Sequence, residues 1–501
     1  MTLSIDPRAD HYAETTAVID HTTGTEQSYE ELERRTTEVA VRLAGLDVGR
    51  GDPVVVLSKN RPLHLELFFA LERLGGVLAP VSHRLTAGEI DAIVGTIDPS
   101  LIIYETAFEA IVPSGRRART VETFREAIDD AAVPLDRPDA TSEGAGSEAE
   151  PLMYLHTGGT TGTPKVVVLP RRQIEWNCIT EIAAWGLGND DVSPILLPMF
   201  HTGGWNLLTL STLYVGGTVV LQRSFDPGEA LSMIETYGGT HVFGVAAIFE
   251  AMATHDAFEL TEFSSVEWFM SGGGPTPEAV MDAYRDRGET FTQGYGLTEG
   301  GPNNLYMDAR RPDAADKPDS VGRPFPDCSI RIVDGNGDPV DRGETGELEV
   351  SGPVTAAGYL ETEDGTFGGK WVSTGDLARR DGDGDVYITG RVDNMFVSGG
   401  ENVYPEEIED VLARHPSIDD VAVVGVPHDR WGTVPKAVVV GSIDREAVES
   451  YAEEVLAGFK RPRAIDIVTS LPRSGPGKLD RDALEREFGD PNNTDEPEGS
   501  A

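Results

Sequence analysis

The chain has 501 residues, and its 85 Asp and Glu against 41 Lys and Arg give a formal net charge of −44. So few cations argue against a broad basic face for nucleic acid, and an acidic surface is repelled by anionic lipid headgroups. Hydrophobic residues make up 39% of the chain. That share argues against a disordered polyanion and allows two or three domains with cores of their own.

Lysine is scarce: only seven of the 41 basic residues are lysines. Because the Debye length falls to ~3 Å in molar salt, self-repulsion of an acidic chain is muted there. The composition therefore predicts a halophilic protein, and an ordinary acidic mesophilic protein is the alternative.

The two cysteines, Cys178 and Cys328, cannot build a disulfide framework. The N-terminus lacks a basic segment followed by an apolar run, so no signal peptide is expected. No segment approaches the ~20 apolar residues of a membrane span. We therefore expect a cytoplasmic protein without a membrane span. The composition leaves a homodimer open.

Alternating helical and β-branched patterns predict an α/β fold in the first part of the chain. The helical spacing of Leu32, Val39 and Leu43 precedes a β-branched run at Val54–Leu57, and this alternation continues to Tyr104. A second α/β stretch runs from about residue 152 to 307. Such alternation favours sheets with helical crossovers.

The later part of the chain changes character. From Ser320 to Arg391, Asp-Gly pairs separate short strands and predict a small β-barrel. After Asp393 the pattern is α+β, with Pro405 opening a helix. We therefore predict α/β layered sheets plus a small barrel in residues 1–391, an α+β domain in 392–488, and a disordered tail in 489–501.

A glycine- and threonine-rich segment precedes Lys165. Its glycines let backbone N–H groups approach a polyanion, its threonines add hydroxyl donors, and Lys165 supplies a point charge. Pro164 stands directly before this lysine, so the segment is not a Walker A loop. A flexible connector is the alternative. The predicted phosphate-binding residues are Thr157, Gly158, Gly159, Thr160, Thr161, Gly162 and Lys165.

This segment resembles the phosphate-binding loop of the adenylate-forming (ANL) superfamily, which includes acyl-CoA synthetases, adenylation domains of peptide synthetases and luciferases. Further segments similar to that family follow in order over nearly the whole chain. They are Phe291–Glu299, Ser373–Asp376, Gly390–Asp393 and Pro472–Lys478.

The resemblance implies an acyl-CoA ligase that uses ATP, Mg²⁺ and CoA. A carboxylic acid attacks the α-phosphate of ATP to give an acyl-AMP and pyrophosphate, and CoA then displaces AMP. An adenylation enzyme that loads a carrier-protein thiol is the alternative, and a nucleotide-binding protein without turnover is a third reading. For the acid itself, we place an aliphatic chain slightly ahead of an aryl group.

The resemblance also implies roles for the reacting residues. Glu299 would be the Mg²⁺ ligand, Thr298 would bind the α-phosphate, and Lys478 would be the lysine of adenylation. A helix N-cap at Thr298, with Glu299 in the first turn, is an alternative that is compatible with these roles. Lys478 as a solvated loop cation is the alternative for that residue.

Nucleotide binding is implied at three segments. Tyr295 resembles the adenine-stacking aromatic residue, and Asp376 resembles the residue that accepts both ribose hydroxyls. Arg391 would bind the ribose or a phosphate. The glycines that allow close backbone approach beside the adenine are Gly272, Gly273, Gly274, Gly294 and Gly296.

CoA binding is implied in the C-terminal domain, which the resemblance makes mobile about a hinge at Asp393. The cationic run near Lys460 suits CoA phosphates, although a cap for the preceding helix is the alternative. Lys436 also falls beside these segments. The residues predicted for the thiol tunnel and its entry are Ser398, Gly399, Gly400, Trp431, Gly432, Lys460 and Arg461.

His201 matches the family position that gates the acyl pocket. The residues predicted to line that pocket are Trp205, Phe243, Val245 and Leu297. Three positions depart from the family pattern: Gly158 replaces a common Ser, Val166 replaces a common Gly, and Asn394 stands where a second acidic residue is common.

Overall fold

The computed structural model describes residues 3–129, 147–157, 164–361, 365–398, 401–428, 431–474 and 478–489. The chain divides into two compact units. The first is Met1–Arg331 with Glu349–Thr374, and the second is Ile332–Leu348 with Gly375–Ala501.

The α-helices of the described residues are α1 Asp6–Tyr12, α2 Tyr29–Ala44, α3 Leu63–Leu74, α4 Ala87–Ile97, α5 Val121–Asp129, α6 Arg171–Trp185, α7 Thr209–Val215, α8 Pro227–Tyr237, α9 Ala246–Ala253, α10 Glu278–Arg285, α11 Pro405–Leu412, α12 Arg445–Val455 and α13 Arg481–Phe488. Short 3₁₀ turns lie at Thr106–Ile111, Thr202–Gly204, Phe258–Leu260 and Val392–Asn394.

The strands are β1 Thr16–Asp20, β2 Thr25–Ser28, β3 Pro53–Leu57, β4 Val77–Pro80, β5 Leu101–Tyr104, β6 Ala118–Thr120, β7 Pro151–Thr157, β8 Lys165–Pro170, β9 Val192–Ile195, β10 Thr218–Leu221, β11 His241–Gly244, β12 Trp268–Ser271, β13 Phe291–Leu297, β14 Gly301–Tyr306, β15 Arg323–Pro324, β16 Ser329–Val333, β17 Thr345–Ser351, β18 Gly358–Tyr359, β19 Phe367–Gly368, β20 Trp371–Arg380, β21 Val386–Arg391, β22 Phe396–Ser398, β23 Glu401–Val403, β24 Ile418–His428, β25 Gly432–Gly441, β26 Ala464–Val468, β27 Arg473–Ser474 and β28 Lys478–Leu479.

A seven-stranded sheet in the first unit has the order β18-β8-β7-β4-β3-β5-β6. Its strands β4, β3 and β5 are parallel and almost fully buried, because helices α2 and α3 on one side and α4 on the other supply the apolar partners. Helix α4 begins with a capping box in which Thr86 and Glu89 satisfy each other's backbone N–H groups. The α/β prediction for the first part of the chain is confirmed.

A five-stranded sheet of the first unit, β11-β12-β13-β14-β15, positions several predicted site residues. Strands β11, β12 and β13 are parallel, so their carboxyl ends meet at one edge. Val245 and Gly272 follow the first two strands at that edge, and Gly294 lies within β13. A four-stranded sheet, β2-β1-β10-β9, completes the sheets that lie wholly in this unit.

The sheet predicted as a barrel has the order β16-β17-β20-β19, with β21 paired to β20, and the division between the units falls within its strands. In the second unit, β24 and β25 form a long antiparallel hairpin. Strand β25 also pairs with β22 at Gly432 and with the parallel β26 from Lys436 to Val440, and β23 pairs with β22. Helices α11 and α12 cover one face of this sheet, and α13 packs on the other. Among the described residues, no helix has the length and apolar character needed to cross a lipid bilayer.

Candidate active site

The hairpin of β7 and β8 holds the ends of the predicted phosphate-binding segment. Thr157 and Lys165 are directly paired at the end of the hairpin where β7 ends and β8 begins. Residues 158–163 between them, including Gly158, Gly159, Thr160, Thr161 and Gly162, lie outside the described residues. The register alone therefore brings the Thr157 hydroxyl and the Lys165 ammonium to the base of this segment.

Glu299 lies beside this hairpin, in the turn between β13 and β14. Its Oε1 accepts a hydrogen bond of 3.3 Å from the Thr157 hydroxyl and one of 2.9 Å from the Tyr359 hydroxyl. Its backbone oxygen accepts a 3.0 Å hydrogen bond from the N–H of Ala356, which fixes the turn. The carboxylate is thus oriented by two hydroxyl donors.

Tyr359 is a site residue that the sequence analysis missed. Strand β18 pairs antiparallel with β8, so that Tyr359 lies opposite Val167. Its ring centroid is 5.0 Å from the Lys165 Nζ, within the range of a cation–π contact. One tyrosine therefore touches both the predicted phosphate-binding lysine and the predicted metal-binding carboxylate.

The helix N-cap considered for Thr298 is wrong. Thr298–Gly300 forms a turn between antiparallel strands, in which Leu297 pairs with Gly301. Gly301 has φ +79, a left-handed conformation that favours glycine and reverses the chain direction. Glu299 is therefore presented by a β-turn.

Glycines give the backbone close approaches around Tyr295. A Cβ on Gly296 would lie 1.7 Å from the backbone oxygen of Pro302, so only glycine fits there. A Cβ on Gly272 would lie 3.0 Å from the Phe243 ring, while one on Gly274 would meet no atom within 4 Å. A Cβ on Gly273 would lie 3.6 Å from Val245 Cγ1, and its φ of +76 favours glycine, so of these three glycines Gly274 alone leaves free space beside the backbone.

An aromatic and an imidazole ring lie beside His201. This exposed residue lies 4.6 Å from the Phe200 ring and 6.4 Å from the His156 ring. The Ser82 N–H donates a 3.0 Å hydrogen bond to His156 Nε2, so the neutral tautomer carries its hydrogen on Nδ1. Burial, aided by the nearby His201, lowers the pKa of His156 to about 4. His156 is therefore neutral at pH 7.

A small apolar cavity follows the His201 segment. Its walls include Leu197, Gly203, Leu207 and Phe243. A Cβ on Gly203 would lie 2.6 Å from Leu197 Cδ1, so this glycine keeps the cavity open. Trp205, by contrast, is fully buried in the core, 5.6 Å from the Phe68 ring.

A buried polar group beneath the segment after His201 was also missed. The Asn303 Nδ2 donates to Glu181 Oε1 at 2.5 Å and to the Asn206 backbone oxygen at 3.0 Å. Burial raises the pKa of Glu181 to about 8. The sequence feature that could have revealed this group is the number of polar residues on the buried side of α6. Besides Glu181, they include Gln173, Asn177 and Thr180.

In the second unit, the structure brings three predicted residues together. Asp376 and Arg391 are paired across β20 and β21, and their side chains form an ion pair of 2.7 Å. The other guanidinium nitrogen of Arg391 lies 4.0 Å from the Asp393 carboxylate. The arginine therefore links the predicted ribose-binding residue to the predicted hinge.

The predicted CoA segments also meet within the second unit. Ser398 pairs with Gly432 across β22 and β25, and Gly432 directly follows Trp431. The Trp431 side chain is exposed. Gly399 and Gly400 lie outside the described residues, as does the side chain of Lys478, whose backbone belongs to β28.

Lys460, Arg461 and Lys436, the basic residues placed in or beside the predicted CoA segments, have protein partners. Lys460 forms an ion pair with Glu407. Arg461 donates to the backbone oxygens of Leu456 and Glu453, both at 2.9 Å, and so caps the end of α12. Lys436 is fully buried and lies 2.9 Å from the Asp466 carboxylate, which corrects the expectation that it serves a ligand.

Sequence models of a known family match most of the chain. The model described as AMP-binding enzyme matches residues 5–360, and the model described as AMP-binding enzyme C-terminal domain matches residues 407–478. The chain belongs to the AMP-binding enzyme family.

Curated members of this family cover nearly the whole chain. A feruloyl-CoA synthase of Amycolatopsis sp is 36% identical over 93% of this chain and 95% of its own. An indoleacetate–CoA ligase of Aromatoleum aromaticum is 33% identical over 91% and 92%. A medium/long-chain-fatty-acid–CoA ligase of Mycobacterium tuberculosis is 32% identical over 91% and 85%.

A solved structure supports the fold of this AMP-binding enzyme. The crystal structure of ATP-bound MatB from Rhodopseudomonas palustris matches with a TM-score of 0.86 and 27% identity, covering 98% of this chain and 99% of its own. The chain is an ATP-dependent, AMP-forming ligase that joins a carboxylic acid to CoA, and its reaction uses ATP, Mg²⁺ and CoA.

The donor atoms around Glu299 suit the metal of an AMP-binding enzyme. Mg²⁺ prefers hard oxygen ligands, and a carboxylate oriented by the hydroxyls of Thr157 and Tyr359 provides one. The Lys165 ammonium near the same tyrosine adds positive charge for phosphate oxygens. The chemistry of these side chains therefore suits a nucleoside triphosphate bound together with Mg²⁺.

Proposed function

We propose that the group formed by Thr157, Lys165, Glu299 and Tyr359 binds the triphosphate of ATP during adenylation. The observation that carries this proposal is the convergence of two hydroxyls on the Glu299 carboxylate beside the Lys165 ammonium. Glu299 would hold Mg²⁺, which supplies neutralisation of phosphate charge.

The residues of this chain then orient the reacting groups. Lys165 binds outer phosphate oxygens, and Thr298, in the same turn as Glu299, donates its hydroxyl to the α-phosphate. Lys478 stabilises the charge that develops between the carboxylate of the acid and the α-phosphate. Phosphoryl transfer depends mainly on such positioning and charge stabilisation.

The nucleoside is proposed to lie on Tyr295, where Gly272, Gly273 and Gly274 allow close approach. Asp376 would accept the ribose hydroxyls, and the 2.7 Å ion pair with Arg391 orients its carboxylate for that role. Gly294 and Gly296 shape the strand that carries the tyrosine.

We propose that CoA reacts in the second of two steps, after the acyl-AMP has formed. Residues 1–391 and 392–488 would act as an N-terminal adenylation domain and a mobile C-terminal domain joined at Asp393, with 489–501 as a tail. Ser398, Gly399, Gly400, Trp431 and Gly432 would form the path of the thiol. Lys460 and Arg461 would bind CoA phosphates only by giving up part of their present contacts.

For the acid, we propose an apolar body that fits beside Phe243 and Leu207, with Val245 and Leu297 at the edge of the pocket and His201 at its gate. An aryl acid is the first candidate, because the relatives at 36% and 33% identity are named for ferulate and indoleacetate. A fatty acid is the second, because a relative at 32% identity is named for it.

The test is release of pyrophosphate and AMP from ATP and Mg²⁺ with ferulate, indoleacetate, octanoate and hexadecanoate. Each acid is assayed with CoA, without CoA, and with a phosphopantetheinylated carrier protein in place of CoA. CoA-dependent AMP release with an aryl acid supports the proposal. Preference for octanoate would favour the fatty-acid candidate, and AMP release only with the carrier protein would contradict CoA as the acceptor.

We also propose that the enzyme works at high salt concentration. The charge of −44 with seven lysines suits a cytoplasm of high salt concentration, because screening at molar salt reduces self-repulsion. We expect activity and thermal stability to rise as the KCl concentration is raised from about 0.1 M to about 2 M. A homodimer stays a prediction that light scattering in the same buffers tests.

A further inference from the structure

One carboxylate oxygen in the second unit joins the predicted hinge to the segment that carries Lys478. The Asn394 Nδ2, one residue after Asp393, donates a short hydrogen bond to Glu406 Oε1. The Arg481 guanidinium, three residues after Lys478, lies 3.2 Å from the same oxygen. Glu406 therefore bridges two segments that are far apart in sequence.

Arg481 has further contacts that fix its orientation. Its Nη2 lies 2.7 Å from Glu409 Oε2, and its Nη1 donates a 3.0 Å hydrogen bond to the Val423 backbone oxygen in β24. The other carboxylate oxygen of Glu409 accepts a 2.6 Å hydrogen bond from the Val423 N–H. The guanidinium is thus held by two carboxylates of α11 and by the backbone of β24.

Strands β27 and β28 form the hairpin that carries Lys478, and β27 is held to β24, the strand that Arg481 also contacts. Strands β27 and β28 pair so that Ser474 lies opposite Lys478, and the Asp480 N–H closes the hairpin with a 2.9 Å hydrogen bond to the Pro472 oxygen. Arg473, at the start of β27, forms an ion pair with Asp420 in β24. Arginines on both sides of Lys478 therefore bind β24.

We propose that Asn394, Glu406 and Arg481 are positioning residues that fix the Lys478 hairpin relative to the hinge during adenylation. The proposal rests on the role given to Lys478 under the proposed function. Because the thiol step is assigned to other residues of this unit, the three residues should matter for adenylation and much less for transfer to CoA.

The contact with Glu406 explains why an amide side chain suits position 394. Its NH₂ group donates to Glu406 Oε1, whereas an aspartate has no donor when ionised and would bring a second carboxylate to hydrogen-bond distance. Two carboxylates so close repel each other, and one of them must take up a proton. An acidic residue at this position, which is common in the family, would therefore keep this link only while one carboxyl is protonated.

The test uses Arg481→Ala, Arg481→Lys and the nearly isosteric Asn394→Asp in the full-length enzyme. Arg486→Lys, on the same helix, is the matched control, because Arg486 donates to the Asp482 backbone oxygen of its own helix. Adenylation is measured as single-turnover pyrophosphate release with ferulate and with octanoate. Transfer is measured as CoA thioester formation from supplied feruloyl-AMP and octanoyl-AMP.

We expect Arg481→Ala and Asn394→Asp to lower the adenylation rate about 10- to 100-fold, the loss typical of misplaced reacting groups. The KM for ATP and the transfer rate should change less than about threefold, and Arg481→Lys should restore part of the rate, because lysine keeps the charge and loses the planar fork. In the double variant Asn394→Asp with Arg481→Lys, the losses should not add, because both act on one link.

Equal losses in both half-reactions, or additive losses in the double variant, would overturn the proposal by making the residues merely structural. An unchanged adenylation rate would overturn it as well. Lys478→Ala is assayed in parallel. If Lys478→Ala loses adenylation while Arg481→Ala and Asn394→Asp keep it, only this inference fails. If Lys478→Ala adenylates normally, the role of Lys478 fails and this inference with it.

Discussion

The Tyr359 hydroxyl donates a 2.9 Å hydrogen bond to Glu299 Oε1, while the face of its ring lies 5.0 Å from the Lys165 ammonium. One side chain thus orients the carboxylate assigned to Mg²⁺ and supports the lysine assigned to phosphate. A residue from a strand of only two residues therefore contacts two residues of the proposed triphosphate site.

Replacing Tyr359 with Phe removes the hydroxyl and keeps the ring. We expect adenylation to fall about 10-fold at low Mg²⁺, because a hydrogen bond to a charged group is lost, and the Mg²⁺ concentration for half-maximal rate to rise. Pyrophosphate release titrated with MgCl₂ measures both. Tyr387→Phe, which removes a hydroxyl 3.4 Å from Asp381, is the matched control, and an unchanged Mg²⁺ requirement in Tyr359→Phe would count against the assignment.

Glu181 should make stability depend on pH. Burial raises its pKa to about 8 in the folded protein, against about 4.3 in the unfolded chain. The neutral carboxyl therefore stabilises the fold fully below the unfolded pKa, and this contribution is lost as pH rises through about 8. Glu181→Gln cannot ionise and lacks this dependence.

The measurement is the free energy of unfolding in urea at several pH values between 5 and 8, at constant KCl. We expect wild type to lose about 1 kcal/mol per pH unit relative to Glu181→Gln. Glu126→Gln, at an exposed position on α5, controls for the loss of a negative charge. Parallel pH curves for wild type and Glu181→Gln would show that Glu181 is ionised in the fold.

Gly203 should limit the size of the acid. A Cβ at this position would lie 2.6 Å from Leu197 Cδ1 and 3.5 Å from Leu207 Cδ1, so Gly203→Ala narrows the cavity. We expect kcat/KM for the larger acids of the panel to fall about 10-fold relative to short acids, the range that one methyl group commands in an apolar pocket. Gly188→Ala, where a Cβ meets no atom within 4 Å, is the control; equal effects on all acids would argue against this cavity as the pocket.

The sequence predicted the α/β elements well where the hydrophobic period was strong. The run Val54–Leu57 lies within β3, and the helix expected at Pro405 is α11. Both rest on local spacing, which short-range backbone and side-chain preferences decide.

Long-range pairing decided what the sequence did not reveal. Thr298 looked like a helix start, but the pairing of Leu297 with Gly301 makes it part of a β-turn. Tyr359 has no motif of its own, and only the register with β8 brings it to Lys165. Lys436 seemed free for a ligand until Asp466, thirty residues on in the parallel strand β26, provided its partner.

Lys478 is proposed to serve adenylation and not transfer to CoA. The most direct measurement compares the two half-reactions in Lys478→Ala: single-turnover pyrophosphate release from acid and ATP, and CoA thioester formation from supplied acyl-AMP. We expect the rate of pyrophosphate release to fall about 10²- to 10³-fold and the rate of thioester formation to stay close to wild type. Equal loss of both rates, or an unchanged rate of pyrophosphate release, would contradict it.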